Sequence, residues 1–285
     1  MFGKRTDGRQ VRTLEPIQRI MPYIMKTRTD SMNMFQDTIP CQYLDDYIRE
    51  KAEQGIKLEY IHIVLADMVR LLALRPQLNR FVMRGRIFTR SKIWISFVVH
   101  RSLKNTDAGT TIKLCFEGTE DIFEVTRKIN EAVERELAAE DGSNSTDKTA
   151  ALIMKIPGPL IQFAVNILMF LDRHDMLPKV IMEASPFHTS LFFTNLKSLG
   201  INHIYHHIYE FGTTGLFLAL GKEKLQPAVS GDSTAPAKTL GFGLVMDERF
   251  CDGLYFARSL RMMKKFLRTP SLLEVPLPAK TEDIP

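Results

Sequence analysis

The chain has 285 residues, of which 45% are hydrophobic and 25% are charged, and its formal net charge is +5. This composition excludes collagen-like and intrinsically disordered chains and predicts a globular protein with a sizeable core. Basic and acidic residues are interspersed without a dense basic run, so we expect no nucleic-acid partner. The three cysteines are far apart, which argues against a disulfide framework. The N-terminus does not resemble a signal peptide, so we expect a cytoplasmic protein.

The two ends of the chain differ in composition from the middle. Residues 1–16 are polar and basic, and we predict a flexible N-terminal segment there. A single domain is predicted over residues 17–275. Residues 276–285 are predicted to be a C-terminal tail, part of a proline-rich stretch that starts at Pro270 and could dock on a neighbouring subunit.

Hydrophobic periodicity predicts the main helices and strands. Residues 44–54, 59–74 and 121–139 have apolar residues at helical spacing. Runs rich in β-branched and aromatic residues predict strands, at positions 92–99, 111–116, 190–194, 215–222 and 240–246.

Residues 159–171 form the most apolar run of the chain. A helix across a bilayer needs about 20 residues, so we expect no integral membrane segment. A buried or interface-facing helix is the favoured interpretation. The alternative is a peripheral membrane patch, since Pro157-Gly158-Pro159 could present the helix as a flap.

A polar heptapeptide, residues 247–253, separates the predicted strand 240–246 from an amphipathic helix predicted over residues 254–267. Gly253 lies at the bend. Polar residues on such a corner, between two rigid elements, are typical of catalytic sites.

This heptapeptide resembles the DHRxxDG signature of the acyltransferase core subunit of 2-oxo acid dehydrogenase complexes. That signature is itself similar to the HxxxDG motif of chloramphenicol acetyltransferase. Asp247, Arg249, Asp252 and Gly253 match, whereas the catalytic histidine of the family falls on Glu248. The resemblance extends diffusely over residues 17–275.

The resemblance implies an α/β (α+β) fold like that of chloramphenicol acetyltransferase, with a central mixed sheet flanked by helices. It implies a homotrimer, or a cage of trimers, with a site shared between subunits. The expected ligand is a coenzyme A thioester or a lipoyl thioester. Since the chain contains no segment that resembles a lipoyl domain, we expect the acyl carrier to be free coenzyme A or an external partner.

Acyl transfer from a thioester needs a general base for the attacking thiol and a donor that stabilises the oxyanion. Glu248 is the candidate base. A glutamate with a pKa of about 4.3 and a thiol with a pKa of about 8.5 are poorly matched, and full proton transfer costs roughly 5.7 kcal/mol. Burial can narrow this gap. The alternative interpretation is that Glu248 pairs with a basic residue and has no chemical role.

The oxyanion donor and the corner carboxylate are further candidate site residues. The resemblance places Lys197 where the family has a serine, with hydroxyls nearby at Thr194 and Ser198. Ser198 is our choice because it precedes Leu-Gly on the turn, and Lys197 could serve the same purpose with its positive charge. The alternative is that all three residues only end the strand. Asp252 is expected to hold the corner together by accepting from buried donors, and Arg249 is expected to share that role through an ion pair.

The cluster His203, His206 and His207 is the only concentration of histidines. No suitable further ligand is evident, so we expect no metal. His207 or His206 could instead reach the channel and replace the lost base, and the alternative is a solvated or interface loop. Two functions therefore remain open: an acyltransferase, and a catalytically degenerate scaffold that keeps the fold for assembly.

Overall fold

The computed structural model describes residues 5–100, 109–138, 155, 157–230 and 233–285. The helices in these ranges are α1 (Pro16–Ile24), α2 (Gln42–Glu53), α3 (Tyr60–Leu74), α4 (Ile122–Ala138), α5 (Gly158–Arg173), α6 (Lys179–Ala184) and α7 (Gly253–Arg268). The strands are β1 (Gly8–Gln10), β2 (Met32–Pro40), β3 (Arg80–Met83), β4 (Arg86–Arg90), β5 (Ile93–Val99), β6 (Thr110–Phe116), β7 (Leu191–Asn195), β8 (Leu216–Ser230) and β9 (Ser233–Asp247).

The centre of the fold is a six-stranded sheet with the order β2-β9-β8-β7-β5-β6. Strand β7 runs parallel to β5 and β8, and the other neighbours are antiparallel, so the sheet is mixed. A smaller antiparallel sheet has the order β1-β4-β3. The predicted class, a mixed central sheet flanked by helices, is confirmed.

Helix α3 is the most buried helix, since thirteen of its fifteen residues are shielded from solvent. It packs against α4 and α7. His62, at its start, places Nε2 2.9 Å from Asn130 Oδ1, so this histidine links α3 to α4. Burial of apolar side chains between these helices and the sheet forms the main core.

Glycines in β8 and β9 allow a neighbouring segment to lie directly on the sheet. A Cβ atom at Gly221 would lie 2.3 Å from the backbone nitrogen of His203, and one at Gly243 would lie 2.4 Å from the carbonyl oxygen of Ile204. Any larger residue would therefore push away the segment that carries the histidine cluster.

The N-terminal segment differs from its prediction. Residues 1–4 lie outside the described residues, but from Arg5 onward the chain is anchored. The Arg5 guanidinium is buried and contacts Asp7 at 2.8 Å and Asp172 at 3.0 Å. Strand β1 then pairs with β4. These contacts were not expected for a flexible segment, because composition does not reveal the distant partners of charged side chains, and the domain boundary at residue 17 stays a prediction.

Helix α5 is apolar yet almost entirely solvent-accessible within the protomer. Asp172 is its one buried residue, while the side chain of Phe163 is 63% exposed. The predicted helix is present. The prediction that it is buried within its own protomer is wrong, whereas the prediction that it faces an interface between subunits stays a prediction. Across the described ranges, no helix has both the length and the apolar content to cross a bilayer.

Candidate active site

The heptapeptide 247–253 lies on a strand-to-helix corner, as predicted. Strand β9 ends at Asp247, a 3-10 turn spans Glu248–Phe250, and α7 begins at Gly253. The backbone amide of Glu248 donates to the carbonyl oxygen of Ser31 at 2.9 Å. The corner is thereby joined to the residue that precedes β2.

Asp247 is the carboxylate that holds this corner together. It is buried, and its oxygens accept from the Nε and Nη2 atoms of Arg249 at 2.8 and 2.6 Å. They also accept from the backbone amide of Arg249 and the hydroxyl of Ser31. Arg249 Nη1 donates onward to the carbonyl oxygen of Met25, beyond the end of α1. The predicted ion-pair role of Arg249 is therefore present.

Asp252 has a different role from the one predicted. Its side chain is exposed and caps α7 by accepting from the backbone amide of Tyr255 at 2.8 Å. Such a cap stabilises the helix, but it satisfies no buried donors. The sequence prediction assigned the buried role to the wrong aspartate of the motif, because the spacing alone does not show which carboxylate faces inward.

Glu248 is exposed, and its side chain has no hydrogen bond or ion pair within the described part of the chain. The alternative interpretation required a basic partner for this carboxylate, and the protomer does not provide one among those residues. Glu248 is thus available to a ligand or to another subunit.

Ser198 lies at the opposite end of the sheet from Glu248. It belongs to the 3-10 turn Leu196–Leu199 that follows β7, and its exposed hydroxyl donates to the carbonyl oxygen of Asn195 at 2.7 Å. In the register of the sheet, Asn195 at the end of β7 lies beside Leu220 of β8. The end of β9 lies beside Leu216, four residues away along the same strand. At about 3.3 Å per residue, the ends of β7 and β9 that precede the two residues are roughly 13 Å apart along the strands in one protomer.

The other two candidate oxyanion donors, Lys197 and Thr194, are less accessible to a ligand than Ser198. Lys197 Nζ lies 3.4 Å from Glu223 and 4.5 Å from the centre of the Tyr60 ring, so its charge is already engaged. Thr194 is half-buried within β7.

The histidine cluster lies on the face of β8 and β9. The His206 ring stacks on Phe217 with 4.0 Å between ring centroids, and burial lowers the pKa of His206. His207 is exposed and contacts His206 and Tyr209. The next residue, Ile208, donates its amide to the sulfur of Met32. The residue after His207 therefore contacts the start of β2, and the amide of Glu248 contacts the residue before it, Ser31.

Cys251, inside the motif, is a buried residue. Burial, together with the charge of Asp252, raises the pKa of its thiol to about 12. A thiol with that pKa is protonated at neutral pH, so Cys251 is a poor nucleophile.

A buried polar network next to the smaller sheet was not predicted. His188 Nε2 lies 3.2 Å from Asp172, and its Nδ1 lies 2.9 Å from the hydroxyl of Ser185. Burial alone would raise the pKa of Asp172, but the contacts with His188 and Arg5 outweigh burial and lower it. Nearby, burial lowers the pKa of Lys113 to about 7. No sequence pattern signals this network, because its members are up to 183 positions apart.

No group of three or more histidine, cysteine, aspartate or glutamate side chains is placed to hold a metal ion among the residues whose positions are described. Neither a family model nor a curated protein sequence matches the chain.

Solved structures do match. The cubic core of the pyruvate dehydrogenase multienzyme complex superposes with a TM-score of 0.58 at 14% identity, covering 90% of this chain and 88% of that one. A probable dihydrolipoamide acetyltransferase from Listeria monocytogenes 4b F2365 gives 0.54 at 16% identity, covering 90% and 93%. A chloramphenicol acetyltransferase gives 0.55 at 9% identity, covering 91% and 99%. The fold is chloramphenicol acetyltransferase-like.

Proposed function

We propose that the protein is an acyltransferase that moves an acyl group between thiols, with coenzyme A or a lipoyl group as carrier, at an interface between copies of the chain. One observation carries the proposal. The corner that holds the catalytic histidine in the resembled family is intact here, fixed by Asp247 and Arg249, and it leaves Glu248 exposed, with no side-chain partner among the described residues.

In the proposed reaction, Glu248 takes the proton of the attacking thiol. The sulfur then forms a bond to the thioester carbonyl carbon, and the hydroxyl of Ser198 from another copy donates to the resulting oxyanion. Collapse of the intermediate breaks the original carbon–sulfur bond, and the departing thiolate takes the proton from Glu248. The wide separation of Ser198 and Glu248 within one protomer is the reason why the site requires two copies.

Exposed apolar surfaces support a homotrimer. Several large hydrophobic side chains of α1 and α5 are at least 42% exposed: Ile17, Ile20, Tyr23, Ile24, Leu160, Phe163, Ile167 and Phe170. Contiguous apolar patches on isolated subunits are typical of interaction surfaces. Closed cyclic symmetry is the usual way in which identical subunits cover them. The cytoplasmic location stays an expectation.

The test is acetyl transfer from acetyl-CoA to dihydrolipoamide. Mass spectrometry follows the formation of S-acetyldihydrolipoamide, in which one acceptor thiol is acetylated, together with the release of free coenzyme A. Light scattering at micromolar concentration reports the assembly in the same sample. Turnover that is lost in Glu248→Gln with the assembly unchanged supports the proposal. A monomer, or a trimer without turnover, contradicts it.

The second candidate function is a non-catalytic scaffold, which the same exposed apolar helices also favour. In that case the chain assembles into a trimer or a cage, and no variant of Glu248, Ser198 or His207 changes the assembly. An assembled protein that neither binds acetyl-CoA nor releases a thiol supports this alternative.

A further inference from the structure

A cleft of about 340 Å³ opens beside the corner, between the end of α1, the loop from β3 to β4, and the end of α5. Its charged lining consists of five cations and one anion: Lys26, Arg28, Arg84, Arg173, Arg249 and Glu210. A concave surface lined by one sign of charge focuses the electrostatic field and attracts counter-ions.

The buried cations at the base of the cleft are already bound by the protein. Arg249 is paired with Asp247, whereas Arg28 donates to the carbonyl oxygens of Glu210 and Gly212 at 2.6 Å each. Carbonyl oxygens carry no net charge, so the positive charge of Arg28 is not neutralised by these contacts. The carboxylate of Glu210 accepts from the amide and hydroxyl of Thr29.

The three cations at the rim have no such partners. Lys26, Arg84 and Arg173 are exposed, and none has a hydrogen bond or ion pair from its side chain within the part of the chain that the structure describes. Arg173 is held at the rim by its neighbour Asp172, which is buried against Arg5 and His188. Among the described residues, Glu210 is therefore the one anion that lines the cleft with these rim charges.

The backbone at Arg84 is a second, independent observation. Arg84 and Gly85 form the two-residue loop between β3 and β4, with φ values of 52° and 70°. Loops of this kind favour asparagine, aspartate or glycine, because a larger L-residue is strained at positive φ. The strain at Arg84 makes its side chain a candidate for a functional role.

We propose that this cleft binds the phosphate group of a ligand. A phosphomonoester carries about two negative charges and several acceptor oxygens, so it can pair with several of the cations that line the cleft, whereas a carboxylate ligand carries a single charge. The phosphate can belong to a soluble nucleotide or to an anionic lipid headgroup. The site does not depend on acyl transfer, since it uses neither Glu248 nor Ser198.

The experiment measures binding of ADP and of inorganic pyrophosphate by isothermal titration calorimetry, and of vesicles of phosphatidylglycerol in phosphatidylcholine by co-sedimentation. We expect saturable binding either of the soluble phosphates or of the vesicles, and we expect high salt to weaken it. In Arg84→Asn the affinity should fall at least tenfold. Because asparagine suits the loop, the melting temperature of this variant should stay equal to the wild-type value or rise. Loss of affinity therefore cannot come from unfolding.

Lys26→Gln and Arg173→Gln should each weaken the same binding. The matched control is Arg261→Gln, which removes an exposed charge of α7 outside this cleft and should bind as the wild type does. Binding of the soluble phosphates assigns a nucleotide-like ligand, and binding of only the anionic vesicles assigns a lipid headgroup. Absence of binding in both arms overturns the proposal, as does equal binding by the rim variants and the control.

Discussion

The side chains of Asp247 and Arg249, two residues apart in the chain, form a buried ion pair. The guanidinium of Arg249 donates two hydrogen bonds to the carboxylate of Asp247, at 2.8 and 2.6 Å. The ion pair links the end of β9 to the turn that leads into α7. It thereby fixes the backbone of the residue between them, Glu248, while leaving that side chain in solvent.

The first prediction compares the two aspartates of the corner. Asp247→Ala leaves the Arg249 guanidinium buried without its counter-charge, and we expect a loss of about 3–5 kcal/mol in the free energy of unfolding. Asp252→Ala removes only a helix cap and should cost about 1 kcal/mol. Urea denaturation of both variants measures the difference. A loss for Asp247→Ala no larger than that of a helix cap, about 1 kcal/mol, would show that the corner does not depend on Asp247.

The second prediction concerns the C-terminal tail. Asp283 accepts two hydrogen bonds from the guanidinium of Arg80, at 2.7 and 2.6 Å, and both side chains are buried. Asp283→Ala should therefore destabilise the fold by about 3–5 kcal/mol. Glu282→Ala, the exposed neighbour, is the matched control and should be nearly neutral. If Asp283→Ala instead changes only the assembly, the tail docks on a neighbouring subunit, as the sequence prediction allowed.

The third prediction concerns acid stability. Contacts with His188 and Arg5 outweigh burial and lower the pKa of Asp172 in the folded state, whereas an unfolded aspartate has a pKa of about 3.9. The stabilisation is therefore complete above about pH 4 and is lost as the pH falls through the lower, folded-state pKa. Asp172→Asn should lower the melting temperature at pH 7, and its gap to the wild type should narrow below about pH 4.

Asp175→Asn is the control for that experiment. Asp175 contacts the same Arg5 at a longer distance, 3.4 Å, and has a φ value of 59°, which asparagine tolerates. We expect a smaller effect of this substitution. A pH-independent gap for Asp172→Asn would contradict the prediction.

The elements with strong hydrophobic periodicity were predictable from sequence. Helix α3 and strands β5 and β7 lie within one or two residues of their predicted bounds, because their apolar faces determine burial locally. Helix α1 is not among the predicted helices, because prolines such as Pro16 and Pro22 disfavour a helix interior. Pro16 instead occupies the first turn, where the missing amide proton has no intrahelical partner to lose.

The candidate site was predictable only as far as the motif determines it. The corner and the Asp247–Arg249 pair follow from seven contiguous residues. The inward orientation of Asp247 and the distance between Ser198 and Glu248 depend on strand register, which no local pattern shows. The basic cleft brings together residues from positions 26 to 249, so it could not be found before the fold was known.

The fourth prediction tests whether the site is shared between subunits. Ser198→Ala and Glu248→Gln should each lose turnover as pure assemblies, because each lacks one group of every site. When the two variants are refolded together at equal amounts, random mixing should restore about a quarter of the wild-type turnover, since a neighbouring pair can then supply both groups. Failure of the mixture to recover any turnover, with mixed assemblies present by native mass spectrometry, would place both groups in one subunit or remove one from the mechanism.

The last prediction concerns the position that the resembled family fills with histidine. Glu248→His should fold and assemble normally, because Glu248 is exposed and its side chain has no partner within the described part of the chain. Imidazole has an ordinary pKa of about 6.5, closer to that of a thiol than a carboxylate is, so thioester turnover should be retained or increased.

His207→Ala identifies the base if Glu248 is not essential. His207 and Glu248 both border Ser31–Met32, through the contacts of Ile208 and of the Glu248 amide. Loss of turnover in His207→Ala, together with full activity in Glu248→Gln, would assign the proton transfer to the histidine cluster. Full activity in His207→Ala removes His207 from the mechanism. Loss of turnover in Glu248→His would show that the reaction needs a carboxylate at this position, as a nucleophile or as a base for an acceptor other than a thiol.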